Sequence, residues 1–170
     1  MYIALLRAVN VGGTGKLPMA DLRSMAEEIG FRDVRTYIQS GNLVFESDAP
    51  FSAVRLSLEE RLENYAGKPV GVLLRTTQEV WNLLRCNPFP NAEPNKVGVL
   101  FLNDAPKSDT LETAKGHSDE VIELGVREIY IHFPSGMGKS KLRLRAMADG
   151  TMRNLNTVTR LAKMAQGTSG

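Results

Sequence analysis

The amino-acid sequence predicts an α+β fold in two subdomains with antiparallel sheets, the second incomplete. Three observations predict it. Short β-prone runs and helical periodicities follow one another as β-α-β-β-α-β over residues 1–76. That pattern partly restarts after a stretch rich in Pro and Asn at 86–95. The length of 170 residues suits one compact domain or two small ones sharing a core.

The elements are read in order. Tyr2 to Val9 is a strand of buried type. Pro18 suits the first turn of a helix. Met19, Leu22, Met25, Ala26 and Ile29 then recur at helical spacing, and Gly30 closes that helix. Val34–Gln39 and Asn42–Glu46 are β-prone runs joined by a tight hairpin at Ser40-Gly41. A second helix runs from Phe51 to Tyr65, with Ser52 as N-cap and Gly67 as stop. Val70 to Arg75 is the fourth strand. This order is that of a ferredoxin-like, split βαβ unit with both helices on one face of the sheet.

A short helix at Gln78–Leu84 leads into the irregular 86–95 stretch. The second unit then reads as a strand at Val97–Leu102, a short helix at Ser108–Lys115, two strands at Glu120–Leu124 and Glu128–Phe133, and a last helix over Thr157–Ala165. Its final strand is expected to be missing or shared. A single extended sheet crossed by several helices is the alternative. Over the ambiguous Ser140–Ala148 stretch, Lys139, Lys141, Arg143 and Arg145 alternate with Leu142 and Leu144, which favours an extended run over a short helix capped by Ser140. The domain boundaries on this reading are 1–76, a helix and linker at 77–95, 96–166, and a frayed tail at 167–170.

Hydrophobic residues make up 42% and charged residues 24%, the balance of an ordinary soluble domain and not of a disordered chain. No apolar run approaches the roughly 20 residues needed to cross a bilayer, so no membrane partner is expected. Met1 leads straight into a strand, with no basic segment of a signal peptide before it. The single cysteine, Cys86, excludes an internal disulfide and a multi-thiolate metal site. It reads as a buried, inert thiol, and a reducing cytoplasmic setting follows. Residues 135–166 hold seven basic residues against one acid, a net +6 within a whole-chain +2, which leaves −4 elsewhere. A basic C-terminal region on a mildly acidic body suits either an anionic partner or a plain solvated face.

Four stretches could carry chemistry. Arg7 to Lys16 reads Arg-Ala-Val-Asn-Val-Gly-Gly-Thr-Gly-Lys. Its glycines leave backbone N–H groups free to cradle an anion between Arg7, Asn10 and Lys16. It is not a P-loop: that motif needs glycine where Asn10 stands and Ser or Thr where Leu17 stands. Thr36-Tyr-Ile-Gln-Ser-Gly-Asn42 surrounds a hairpin tip. If Ile38 faces the core, Tyr37 and Gln39 share the opposite face, where an aromatic and an amide can stack on and hydrogen-bond a base. Turn chemistry alone accounts for Ser40 and Gly41. Gly136-Met-Gly-Lys-Ser-Lys141 offers flexible backbone, a hydroxyl and two ammonium groups. Thr151-Met-Arg-Asn-Leu-Asn-Thr157 precedes or opens the last helix. Asn154 or Thr151 would cap it, and Arg153 and Asn156 would stand at the positive end of its dipole.

Catalytic groups are otherwise sparse. His117 and His132 are far apart and lack metal-ligand spacing, so no metal is expected. No cofactor is implied, and nothing resembles a paired acid and base.

Taken together, the motifs resemble a widespread bacterial family, domain of unknown function 1697. The resemblance rests on Ala4-Leu-Leu-Arg-Ala-Val-Asn-Val-Gly-Gly13, Met19-x-x-Leu-Arg23, Thr36-Tyr-Ile-Gln-Ser-Gly-Asn42, Gly138-Lys-Ser-Lys-Leu142 and Thr151-x-Arg-Asn-Leu-Asn-Thr157, and it covers nearly the whole chain. Many members carry tryptophan where this chain has Leu155. The resemblance implies paired ferredoxin-like subdomains and no established activity. It implies recurrent polar positions at Arg7, Asn10, Gly12, Gly13, Tyr37, Gln39, Asn42, Ser140, Lys141, Arg153, Asn154, Asn156 and Thr157.

The leading functional expectation is a composite Gly/Asn/basic site for a nucleotide or single-stranded nucleic acid. Arg7, Lys16, Lys141 and Arg153 would bind phosphate, and Tyr37, Gln39 and Asn42 a base or sugar. An enzyme acting on a small phosphorylated or carboxylated metabolite, without nucleophile or metal, is the first alternative. A structural or interaction protein is the second. Whether the protein is an enzyme stays open. An exposed edge strand in the second half would suit a homodimer.

Overall fold

In the computed structural model, which describes residues 1–7 and 16–166, the apolar run Tyr2–Leu6 forms strand β1. It is followed by α1 (Met19–Glu28), β2 (Arg32–Thr36), β3 (Asn42–Glu46), α2 (Phe51–Ala66) and β4 (Val72–Thr76). The four strands form an antiparallel sheet in the order β2-β3-β1-β4. Alternation along the strands places Ala4, Leu6, Leu43, Phe45, Val72 and Leu74 on one face. There they share a core with Leu22, Met25 and Ala26 of α1 and with Val54, Leu58 and Leu62 of α2. Inside it the rings of Phe31 and Phe45 stack, with centroids 4.1 Å apart. Ile3, Leu5, Val44 and Leu73 on the other face are buried as well. The fold is the expected α+β, split βαβ arrangement.

Local chemistry sets the helix limits. Both helices start directly after a proline, Pro18 and Pro50, whose carbonyls accept the first N–H groups of the following turn. Ser52, expected as the cap of α2, therefore lies inside the helix as its second residue, because Pro50, two residues earlier, takes the extended N-cap position. Gly67 ends α2 in the left-handed region at φ +72°, its N–H bonded to Glu63 O at 2.8 Å.

The described chain divides into two units. One is Met1–Glu79 with the chain from Leu161 onward, and the other is Val80–Arg160. The second unit's sheet has β5 (Val97–Phe101), β6 (Val121–Leu124), β7 (Glu128–His132) and β8 (Thr151–Asn154) in the order β6-β7-β5-β8, again antiparallel throughout. The strand order repeats that of the first sheet.

The expected loss of the last strand is thus corrected: β8 is present, pairing Thr151–Asn154 with Phe101–Gly98. What the second unit lacks is α-helix in its crossovers. The helix expected at Ser108–Lys115 is a run of turns. Thr110 N–H bonds Lys107 O and Thr113 N–H bonds Asp109 O, but no continuous ladder forms. Residues 139–150 are irregular, with Leu142 and Leu144 buried, one bridge between Lys115 and Arg143, and a 3-10 turn at Arg145–Ala148.

Helix α3 (Thr77–Arg85) follows β4, and α4 (Leu155–Ala165) follows β8. A capping box opens α3: the Glu79 N–H donates to Thr76 Oγ1 at 3.2 Å, and the Thr76 N–H donates to the Glu79 carboxylate at 2.9 Å. Cys86 lies just past the end of α3 and is exposed, contrary to the expectation of a buried thiol, because the chain there leaves the helix for the Asn- and Pro-rich connection.

Candidate functional site

In the first unit, two of the four polar stretches meet at one end of the sheet. Where β1 stops, the Leu6 N–H donates to Gly41 O at 2.8 Å, and the next N–H, of Arg7, donates to Gly71 O at 2.9 Å. Arg7 is thereby held between the β2–β3 hairpin tip and the entry to β4. Gly71 makes room for it, since a Cβ there would sit 3.3 Å from Arg7 Cβ. Lys16 is exposed, and the chain re-enters the core at Leu17. Asn10, Gly12 and Gly13 lie outside the described residues.

The tip is wider than a two-residue hairpin, because β2 ends at Thr36 and β3 begins only at Asn42. The buried Asn42 side chain organises it. Its Nδ2 donates to Tyr37 O at 2.9 Å and to Ser40 Oγ at 3.0 Å, while the Tyr37 N–H donates to Asn42 O at 3.1 Å. Two residues of the tip have left-handed backbone, Ile38 at φ +51° and Gly41 at φ +89°. The condition under which Tyr37 and Gln39 would share one face, Ile38 toward the core, is not met: its left-handed backbone breaks the strand alternation and leaves its side chain 47% exposed. Gln39 is also exposed and Tyr37 is half-buried. Arg7, Tyr37, Gln39 and Asn42 thus belong to one sheet end.

In the second unit, Ser140 and Lys141 lie in a loop beside the start of β6. The Ser140 hydroxyl donates to Glu120 Oε1 at 2.6 Å and accepts from the Leu142 N–H at 3.1 Å. The Ser118 N–H donates to the other Glu120 oxygen at 2.6 Å. The Ser140 hydroxyl, then the backbone donor, hold the Glu120 carboxyl below the usual range. Lys139 and Lys141 line a cleft of about 170 Å³ with Asp119 and Glu120, so this loop carries its own counter-charges. Neither acid was legible as a partner, because both lie some twenty residues upstream of the loop.

Arg153 is on β8, not at the helix start. Its Nη1 donates to Thr151 Oγ1 at 2.8 Å and to Met152 O at 3.0 Å. It shares a sheet face with Tyr130, since Val99 pairs with both. Burial lowers its pKa to about 10. Asn154 is the N-cap of α4: its Oδ1 accepts the Thr157 N–H at 2.9 Å. Asn156 is exposed and Thr157 buried. The Ser140 loop adjoins β6 and Arg153 lies on β8, the two opposite edges of the sheet. Three strand spacings, about 14 Å, separate those edges.

A second cleft in this unit, of about 450 Å³, lies between residues 102–113 and 145–149. Asp109 and Arg145 pair across it at 3.8 Å. It is lined by none of the residues singled out from the sequence, because its charges are of mixed sign and come from two distant segments. Among the described residues, no group of three or more His, Cys, Asp or Glu could hold a metal ion. No described helix is long and apolar enough to cross a membrane.

The family model for proteins of unknown function DUF1697 matches residues 1–130. The chain belongs to the DUF1697 family. The match includes the stretches at 4–13 and 36–42, linked at the first sheet's end through Leu6 and Gly41, while those at 138–142 and 151–157 lie beyond the matched residues. This DUF1697 chain is also similar in fold to a conserved bacterial protein from Streptococcus pneumoniae. The TM-score is 0.78 and the identity 24%, over 96% of this chain and 97% of that one. Comparison with curated proteins finds no match.

Proposed function

We propose that the protein binds a nucleotide or a single-stranded nucleic acid at the end of its first sheet. The observation that carries this reading is the pair of backbone hydrogen bonds, Leu6 to Gly41 and Arg7 to Gly71, that seats a guanidinium-bearing residue beside a tip with a half-buried aromatic and an exposed amide. Arg7 and Lys16 bind phosphate. Tyr37 stacks on a base and Gln39 hydrogen-bonds its edge. Asn42 acts by shaping the tip.

Arg7→Ala and Tyr37→Ala test this by fluorescence anisotropy with a short labelled oligouridine RNA. Each is expected to weaken binding roughly tenfold, the size of one charge-assisted phosphate contact or one stacked base. Variants that bind as the wild type does would remove the site from this sheet end.

A further inference from the structure

Ile38 combines two unfavourable features. Its backbone stands at φ +51°, a region a β-branched residue rarely enters, and its side chain is 47% exposed. The other left-handed positions have an explanation in the fold. Asp33, at φ +49°, lies where the β2–β3 register shifts between Arg32 and Arg35, and aspartate tolerates that conformation. Gly30, Gly41, Gly67, Gly116 and Gly136 have no Cβ to clash. Asparagine or glycine at position 38 would make the same turn with less strain.

The tip does not relax because it is held from several sides. Both Asn42 N–H bonds, the Tyr37–Asn42 backbone bond and the Leu6–Gly41 bond fix it. Strain maintained by surrounding structure at an exposed apolar side chain is the signature of a contact built in advance of its ligand. We infer that Ile38 is an apolar contact of the ligand, packing against the face of a nucleoside while Arg7, at the same sheet end, takes phosphate. This rests on the nucleotide reading above and adds the side chain that recognises the uncharged part of the ligand. The shared chemistry is a nucleoside face, presented by a mononucleotide or by one unit of a strand.

Ile38→Asn and Ile38→Gly separate the contact from the turn. Thermal melting reads the turn, and anisotropy with labelled oligouridine RNA, competed by UMP, reads the contact. The expected result is that both variants fold and that Ile38→Asn melts about 2–4 °C higher than wild type. Both are expected to bind the RNA roughly fivefold to tenfold more weakly, the loss of one partly buried aliphatic side chain. An equal loss for UMP assigns the contact to a single nucleoside, and a loss for RNA alone assigns it to a strand. Variants that bind as tightly as wild type overturn the Ile38 contact and leave the Arg7 site standing. A lower melting temperature in both variants overturns the strain argument. Wild-type protein that binds neither probe overturns the nucleotide reading itself, and the Ile38 contact with it.

Discussion

At Asn42 a fully buried carboxamide donates both of its N–H bonds to its own hairpin, one to Tyr37 O and one to Ser40 Oγ. No other residue type of that size offers two donors from one nitrogen beside an acceptor. Alanine there would lose both bonds and leave the Tyr37 carbonyl without this donor. We expect Asn42→Ala to cost about 2 kcal/mol, from two hydrogen bonds of about 1 kcal/mol each. The urea unfolding midpoint measures it, and a shift equivalent to less than about 0.5 kcal/mol, the scale of an ordinary surface change, would contradict the role assigned to Asn42. The residue types around this tip were legible as turn chemistry, and Asn42 was legible as polar and important. Its burial was not, because the sequence around it does not say that Tyr37 O turns inward. The direction of Ile38 stayed open in the sequence for a related reason. Strand alternation carries a side chain's direction only while φ stays negative, and one left-handed residue ends that rule.

The helices show where periodicity is enough. In α2, Val54, Leu58 and Leu62 recur every four residues and all face the core, and Gly67 stops the helix where a glycine can turn left-handed. The capping box of α3 is present in the sequence as Thr76-x-x-Glu79, a spacing in which each residue satisfies the other's backbone N–H. Thr76→Ala should therefore destabilise the protein by about 1 kcal/mol, the usual worth of an N-cap side chain, read as a lower melting temperature. An unchanged melting temperature would mean that packing alone holds the first turn of α3. Strand β8 was illegible for the opposite reason. It is four residues long and pairs with β5 about fifty residues earlier, so no local pattern marks it. The turns at 108–113 failed as a helix because the local bonds mix three- and four-residue reach instead of one repeating step.

Across the whole molecule, the two units repeat one plan. Both sheets follow the same strand order, and each fourth strand ends in an arginine followed by a capping residue, Arg75-Thr76 before α3 and Arg153-Asn154 before α4. Each of these buried arginines donates from Nη1 to the carbonyl of the residue before it, Leu74 or Met152, at 3.0 Å. Only two positions in each unit carry that repeat, which is why the sequence alone hides it. The functional account has its own signature at this scale. It places Arg7 and Lys16 on phosphate and sets a basic segment at 135–166 on an otherwise acidic chain. Binding of a polyanion must then release counterions. The most direct test is the affinity of the wild-type protein for labelled oligouridine RNA as salt is raised from low to physiological concentration. We predict that the logarithm of the association constant falls linearly with the logarithm of salt, by about 0.7 for each phosphate neutralised. An affinity that stays flat across that range, or no binding at its low end, would contradict the account.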